Sequence, residues 1–186
     1  MTNWLDAWAS KEHAKNKTIV FNALDSYINS SPVSILDIGC GLAIESEMFQ
    51  KKYNSNLFLL DGDFDDTTKK NRDRNYGATD SFKFYNKLDT LKESYSQRNL
   101  NYTFINAVDI QVDADVKFDI VYSIMSCGFH YPLGTYANLI KKHTTSNSKI
   151  IVDIRNGKLD KQDCDFEVVD TVHSGKKHTM YQIKFL

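Results

Sequence analysis

Five short apolar runs, at residues 33–38, 57–61, 102–106, 118–124 and 149–154, alternate with stretches whose apolar residues recur at helical spacing. Runs this uniformly apolar leave no face for solvent, so each strand must be covered on both sides. Parallel strands joined by helical crossovers achieve that. The stretches 42–53, about 82–98 and 133–143 supply the helices. Beyond residue 154 the order changes, because 166–172 and 178–185 read as strands joined by a turn at Ser174-Gly175, which predicts an antiparallel hairpin. The expected fold is therefore α/β: a three-layer sandwich with a mostly parallel seven-stranded sheet, helices on both faces and a C-terminal hairpin. Ahead of the first strand, Trp4, Leu5, Trp8, Ile19, Val20, Leu24 and Ile28 predict two amphipathic helices within residues 1–30, broken near Asn16. No repeat or Pro/Gly/Ser linker divides the 186 residues, so a single domain, 1–186 with its core at 31–186, is expected. The stretch 63–81 is long and densely charged, and reads as a solvated loop.

The first apolar run ends in Asp37, Gly39 and Gly41 and then opens a helical pattern. Such a turn is expected to present backbone N–H groups, with the glycines letting a ligand approach the chain closely. The dinucleotide spacing G-x-G-x-x-G requires a glycine where Ile44 stands, so a diphosphate is poorly suited to the turn. The charge of Asp37 suits a cationic or hydrogen-bonding ligand instead.

The stretch LDIGCGLA, residues 36–43, resembles the first motif of the class I S-adenosylmethionine-dependent methyltransferases, an acidic residue followed by G-x-G-x-G, with Ala43 in place of the third glycine. LFLLDGD puts Asp61 at the end of the second strand, 20 residues after Gly41, and KFDIVYSIMS is similar to the family's fourth-strand motif. The resemblance runs from about residue 31 to the end. It implies S-adenosylmethionine as cofactor and S-adenosylhomocysteine as product. Asp37, Gly39 and Gly41 would hold the methionine end, with Cys40 beside them. Asp61, with Gly62, would hold the ribose, its carboxylate accepting both bonds of the diol. Asn106, with Ala107, would meet the adenine, the Asn oxygen accepting the amino hydrogen. The first N-terminal helix, with Trp4, Trp8 and His13, would fold over the cofactor as a lid. Gly39→Trp is expected to weaken cofactor binding without altering the fold.

SIMSCGFHYPLGTY follows the fourth strand, where such a sheet opens its ligand crevice. Ser126, His130 and Tyr131 are expected to line the substrate pocket, with His130 as candidate general base because imidazole titrates near neutrality. Positioning and desolvation can also drive an in-line methyl transfer without a base. Residues 126–129 lack the Asp/Asn-Pro-Pro-aromatic tetrad of base-amine methylation. Cys127 follows Ser126 rather than proline or threonine and reads as a packing residue.

Charge and composition bound the partners. Lys and Arg number 23 against 24 Asp and Glu, a net charge of -1, so no field attracts polyanions and a nucleic-acid partner is not expected. A small polar metabolite methylated on oxygen or nitrogen is the expected acceptor. Cys40, Cys127 and Cys164 are far apart and lack CxxC spacing, which predicts reduced thiols and no metal. No basic, apolar leader or run of about 18 apolar residues appears, so a cytoplasmic protein with no membrane segment is expected. Two other readings stand beside this one: a non-catalytic binding or regulatory domain on the same fold, and a nicotinamide oxidoreductase, which Ile44 opposes.

Overall fold

A computed structural model of the chain describes residues 11–28, 31–63 and 86–186. In chain order its elements are α1 (Lys11–Asp25), β1 (Ser34–Ile38), α2 (Ile44–Tyr53), β2 (Asn56–Asp61), α3 (Leu88–Gln97), β3 (Tyr102–Asn106), β4 (Ile120–Ser123), β5 (Ser126–Tyr131), α4 (Gly134–His143), β6 (Lys149–Arg155), β7 (Phe166–Ser174) and β8 (His178–Phe185). Seven of the strands form one sheet in the order β3-β2-β1-β4-β6-β8-β7. The first five in that order run parallel. β8 lies antiparallel between β6 and β7. The chain reverses its direction of travel across the sheet between β1 and β4, and a crevice opens at the carboxyl ends of these strands.

Strand periodicity distributes the core over two faces. Ile35, Leu57, Leu59, Tyr122, Ile151 and Met180 meet Leu24 of α1, Phe49 of α2, and Leu91 and Tyr95 of α3. Leu36, Ile38, Leu60, Val121, Val152 and Ile183 meet Tyr136 and Ile140 of α4. Burying an aromatic or aliphatic side chain of this kind is worth about 1.5–3 kcal/mol. The central strands are the ones legible as unbroken apolar runs, since every residue of β4 is buried. β7 is mostly exposed, as an edge strand can be, and two irregularities in its register bend it.

Two local expectations are corrected. α1 continues through Asn16 rather than breaking there. An exposed Asn costs a helix less than about 0.7 kcal/mol, and tertiary contacts outweigh it. Lys17 pairs with Glu45 at 2.7 Å, Lys52 with Asp25 at 2.6 Å, and Phe21 lies edge-on to Phe49 at 4.8 Å. Secondly, the region after the fourth strand, for which the sequence pattern gives no element, is extended as β5 over residues 126–131. Trp4, Trp8 and nearly all of the 63–81 loop lie outside the described residues, as does the side chain of His13. Among the described residues no helix is long and apolar enough to cross a membrane.

Candidate functional site

The glycine turn sits at the crevice, but its N–H groups are not free as expected. The Gly39 and Cys40 N–H groups both donate to the Leu60 carbonyl, at 2.7 and 3.1 Å, and Ala43 N–H donates to the Cys40 carbonyl at 2.7 Å. Gly41 N–H donates to Asp61 Oδ2 at 2.9 Å. These bonds fasten the turn to the end of β2. Gly39 and Gly41 have φ of 72° and 48°, left-handed conformations in which glycine carries no Cβ penalty. Ala43 adopts the same region with φ of 52°, at a cost of about 1–2 kcal/mol. The family pattern has glycine at that place.

The space beside Gly39 is filled by the chain itself. A Cβ on Gly39 would lie 1.8 Å from Ser126 Oγ, so the expectation that Gly39→Trp leaves the fold intact is corrected. Even Gly39→Ala is expected to destabilise the chain by about 2–4 kcal/mol, combining left-handed strain with overlap. Urea denaturation measures this, and an unchanged midpoint would contradict the packing of Ser126 on the turn.

Tyr95 of α3 and Arg98, the residue that ends it, to which sequence analysis gave no role, hold the turn from behind. Tyr95 donates its hydroxyl proton to the Gly41 carbonyl. Arg98 donates to the Leu42 carbonyl and pairs with Glu47. Tyr95 lies in the last turn of α3 and Arg98 follows it three positions on, at the C-cap. Cys40 also faces this way, with Sγ 3.4 Å from the Tyr95 hydroxyl. Burial pushes its thiol well above the usual range, so it is a neutral packing group.

Asp37 is buried at the end of β1. Its Oδ2 lies 2.8 Å from Ser46 Oγ and 3.0 Å from the Tyr122 hydroxyl, and those two hydroxyls are 2.6 Å apart. Three hydrogen bonds among three oxygens need three protons. The hydroxyls supply two, so a protonated Asp37 completes the triangle. The energetics agree. Burial above all, then the nearby charge of Glu45, pushes the Asp37 carboxyl up to about 7 against the opposing bonds from Ser46 and Tyr122. Among the described residues no cation bonds Asp37 directly.

Asp61, at the end of β2, is also buried, and burial raises its carboxyl above the usual range. Its Oδ1 accepts Gly62 N–H at 2.8 Å, and its Oδ2 accepts Gly41 N–H at 2.9 Å and Asn86 Nδ2 at 3.2 Å. Of about four lone-pair positions on a carboxylate, one therefore remains, where two had been expected for a diol. Asn86, which sequence analysis did not single out, presents a buried Oδ1 with no hydrogen-bond partner beside it. Asn106 stands directly opposite Asp61 in the β2–β3 register, with Ala107 N–H on the Asp61 carbonyl at 2.9 Å. The Asn106 Oδ1 already accepts Val108 N–H at 3.1 Å, leaving it one acceptor position.

On the substrate side, Ser126 Oγ and the Tyr131 hydroxyl are 2.8 Å apart, which draws both residues to the glycine turn. His130 lies edge-on to Phe129, ring centroids 4.8 Å apart. Cys127 is fully buried with Sγ against the Pro132 and Leu133 carbonyls at 3.8 and 3.9 Å, a packing position.

No family model matches the sequence, and no curated protein matches it. Solved structures do. A protein from Pyrococcus horikoshii OT3 superposes with a TM-score of 0.64 at 13% identity, over 95% of this chain and 92% of that one. A ribosomal protein L11 methylase from Lactobacillus delbrueckii subsp. bulgaricus gives 0.60 at 14% identity, over 93% of this chain and 79% of that one. A variant of MtNAS in complex with S-adenosylmethionine gives 0.61 at 10% identity, over 98% of this chain and 66% of that one. With the sheet order and the glycine turn at its switch point, these likenesses show that the chain has the fold of the class I S-adenosylmethionine-dependent methyltransferases.

Proposed function

We propose that the chain is an S-adenosylmethionine-dependent methyltransferase acting on an oxygen or nitrogen of a small polar acceptor. The observation that carries this reading is Asp37: a buried carboxyl at the switch point, bonded by two hydroxyls, pushed up to about 7 by burial and Glu45, and lacking a bonded cation among the described residues. An arriving ammonium group favours its ionised form, and Ser46 and Tyr122 are then placed to donate both their protons to it. The open position on Asp61 Oδ1 and the orphan Asn86 Oδ1 together supply the two acceptors that a ribose diol requires. Asn106, across from Asp61, keeps one lone pair for the adenine amino group.

Bound in this cradle, the cofactor supplies a sulfonium methyl group. The chain positions it. Tyr95 and Arg98 hold the turn against α3, and Lys17 compensates Glu45 so that its charge does not face Asp37 alone. This fixed geometry is the main contribution a protein makes to an in-line displacement.

The small acceptor rests on the near-zero net charge, and the shared fold does not choose it, since one structural relative is named for a ribosomal protein. Ser126 over Gly39 and Asn86 on Asp61 favour a second reading, a binding or regulatory domain whose site stays closed to turnover. Incubation with methyl-labelled cofactor and size-fractionated extract decides. Label in the small-molecule fraction supports the proposal, and label in RNA or protein moves the acceptor. Cofactor binding with no label transferred supports the second reading.

A further inference from the structure

The sheet places an ionisable cluster that the cofactor site does not use at the same end of the molecule. Asp153, near the end of β6, is fully buried, and its Oδ1 lies 2.5 Å from Nδ1 of His178, the first residue of β8. Its Oδ2 accepts Met125 N–H at 3.1 Å. The ring of Phe129 meets the His178 imidazole edge-on at 5.8 Å, and the Arg155 guanidinium lies 4.5 Å from the same ring. Arg155 is the cross-strand partner of His178.

Three features direct this pair toward the glycine turn. Asp153 follows Ile151 at strand spacing, and Ile151 shares a core face with Tyr122, the residue bonded to Asp37. β4 alone separates β1 from β6, and β8 lies next to β6, so the lateral offset from Asp37 is about 10 Å for Asp153, two strand spacings, and about 14 Å for His178, three. Finally, Met125 bonds Asp153 while the next residue, Ser126, packs against Gly39. Met125 makes that turn with φ of 51°, a strained conformation for a residue with a side chain.

With Nδ1 committed to Asp153, the other ring nitrogen is the one available for chemistry. Nε2 lies beside the 174–178 turn, where a Cβ on Gly175 would be 3.4 Å from it. The His178 side chain is 21% exposed and so reaches solvent, while its carboxylate partner does not. A buried carboxylate that fixes one imidazole nitrogen orients the other and stabilises the imidazolium that forms on proton uptake.

Resting on the methyl-donor reading, we propose that the Asp153–His178 pair forms the acceptor side of the active site, with His178 as its general base and Asp153 as its positioning residue. His178 Nε2 receives the proton of a hydroxyl or amine as that oxygen or nitrogen bonds the methyl carbon and the carbon–sulfur electron pair stays with sulfur. A sulfonium charge is exchanged for an imidazolium charge, and no further reactant is needed. This role passes to His178 from His130, which flanks the cluster through Phe129.

The test needs no knowledge of the acceptor. S-adenosylmethionine and S-adenosylhomocysteine differ by one methyl group and one positive charge, located where the acceptor must approach. If His178 faces that charge, its NMR titration midpoint lies lower in the first complex than in the second. The expected difference is about 0.2 to 0.8 pH unit for a unit charge roughly 15 Å away. The groups around the imidazole, Asp153 and Arg155 on β6 and His130 on β5, are common to both complexes. His143 and His173 serve as internal comparators. Asp153→Asn is expected to leave S-adenosylhomocysteine affinity within about twofold and to lower the His178 midpoint, because Asp153 holds it above the ordinary histidine value. Calorimetric binding of both ligands with an unmoved His178, or with His130 moving in its place, overturns the proposal. Binding of neither ligand overturns the methyl-donor reading itself.

Discussion

At about pH 8, Asp37→Asn is expected to bind S-adenosylhomocysteine at least about a hundredfold more weakly than the unsubstituted chain, the loss of a buried charge-assisted contact. Without ligand, the same variant should unfold at a higher temperature. Asparagine keeps an oxygen for Ser46 and Tyr122 but cannot ionise. Burial and Glu45 push the Asp37 carboxyl up to about 7, well above an unfolded aspartate. Ionisation therefore favours the unfolded chain. The contribution is neutral below about pH 4, grows unfavourable from there to about 7, and levels off above, reaching roughly 4 kcal/mol. The gain from Asp37→Asn should accordingly be present at about pH 8 and vanish near pH 4. Thermal melts at the two pH values, paired with calorimetry, read both effects. A variant that binds normally, or is less stable at both pH values, would mean that Asp37 is an ordinary structural carboxylate.

Asp61→Ala is the second large effect. It should abolish measurable cofactor binding and also cost about 2–4 kcal/mol of stability, since buried donors from Gly41 and Gly62 lose their acceptor. Asn86→Ala separates the two consequences. It removes one bond to Asp61 while leaving the turn fastened, so binding should fall about fivefold or more at a stability cost near 1 kcal/mol. Denaturant titration beside calorimetry distinguishes them. Normal cofactor affinity in Asp61→Ala would remove Asp61 from the site.

The strands were legible because β1, β4 and β6 are buried on both faces and so leave continuous apolar runs in the chain. β5 was not, since its Ser126, Gly128 and His130 break any such run, and its conformation depends on what surrounds it. α1 misled at Asn16 because local propensity carries no record of the contacts α1 makes with α2. Within the site, Asp37 and Asp61 were placed correctly at strand ends by motif spacing. Their partners were not legible. Tyr122 reaches Asp37 across 85 positions because β4 lies beside β1, and Asn86 reaches Asp61 across 25. The glycines were legible as glycines, but the packing of Ser126 against Gly39 was not, because β5 carries no local signal. The Asp153–His178 pair depends on the antiparallel register of β6 and β8, which no local pattern encodes.

The most direct test of the account is a calorimetric titration with S-adenosylhomocysteine at about pH 6 and about pH 8, with NAD as control. Binding is expected at both, about tenfold tighter at the higher pH because the ligand ammonium selects the ionised Asp37, with proton release near neutrality and no binding of NAD. Failure of S-adenosylhomocysteine to bind at either pH, or binding of NAD in its place, would contradict it.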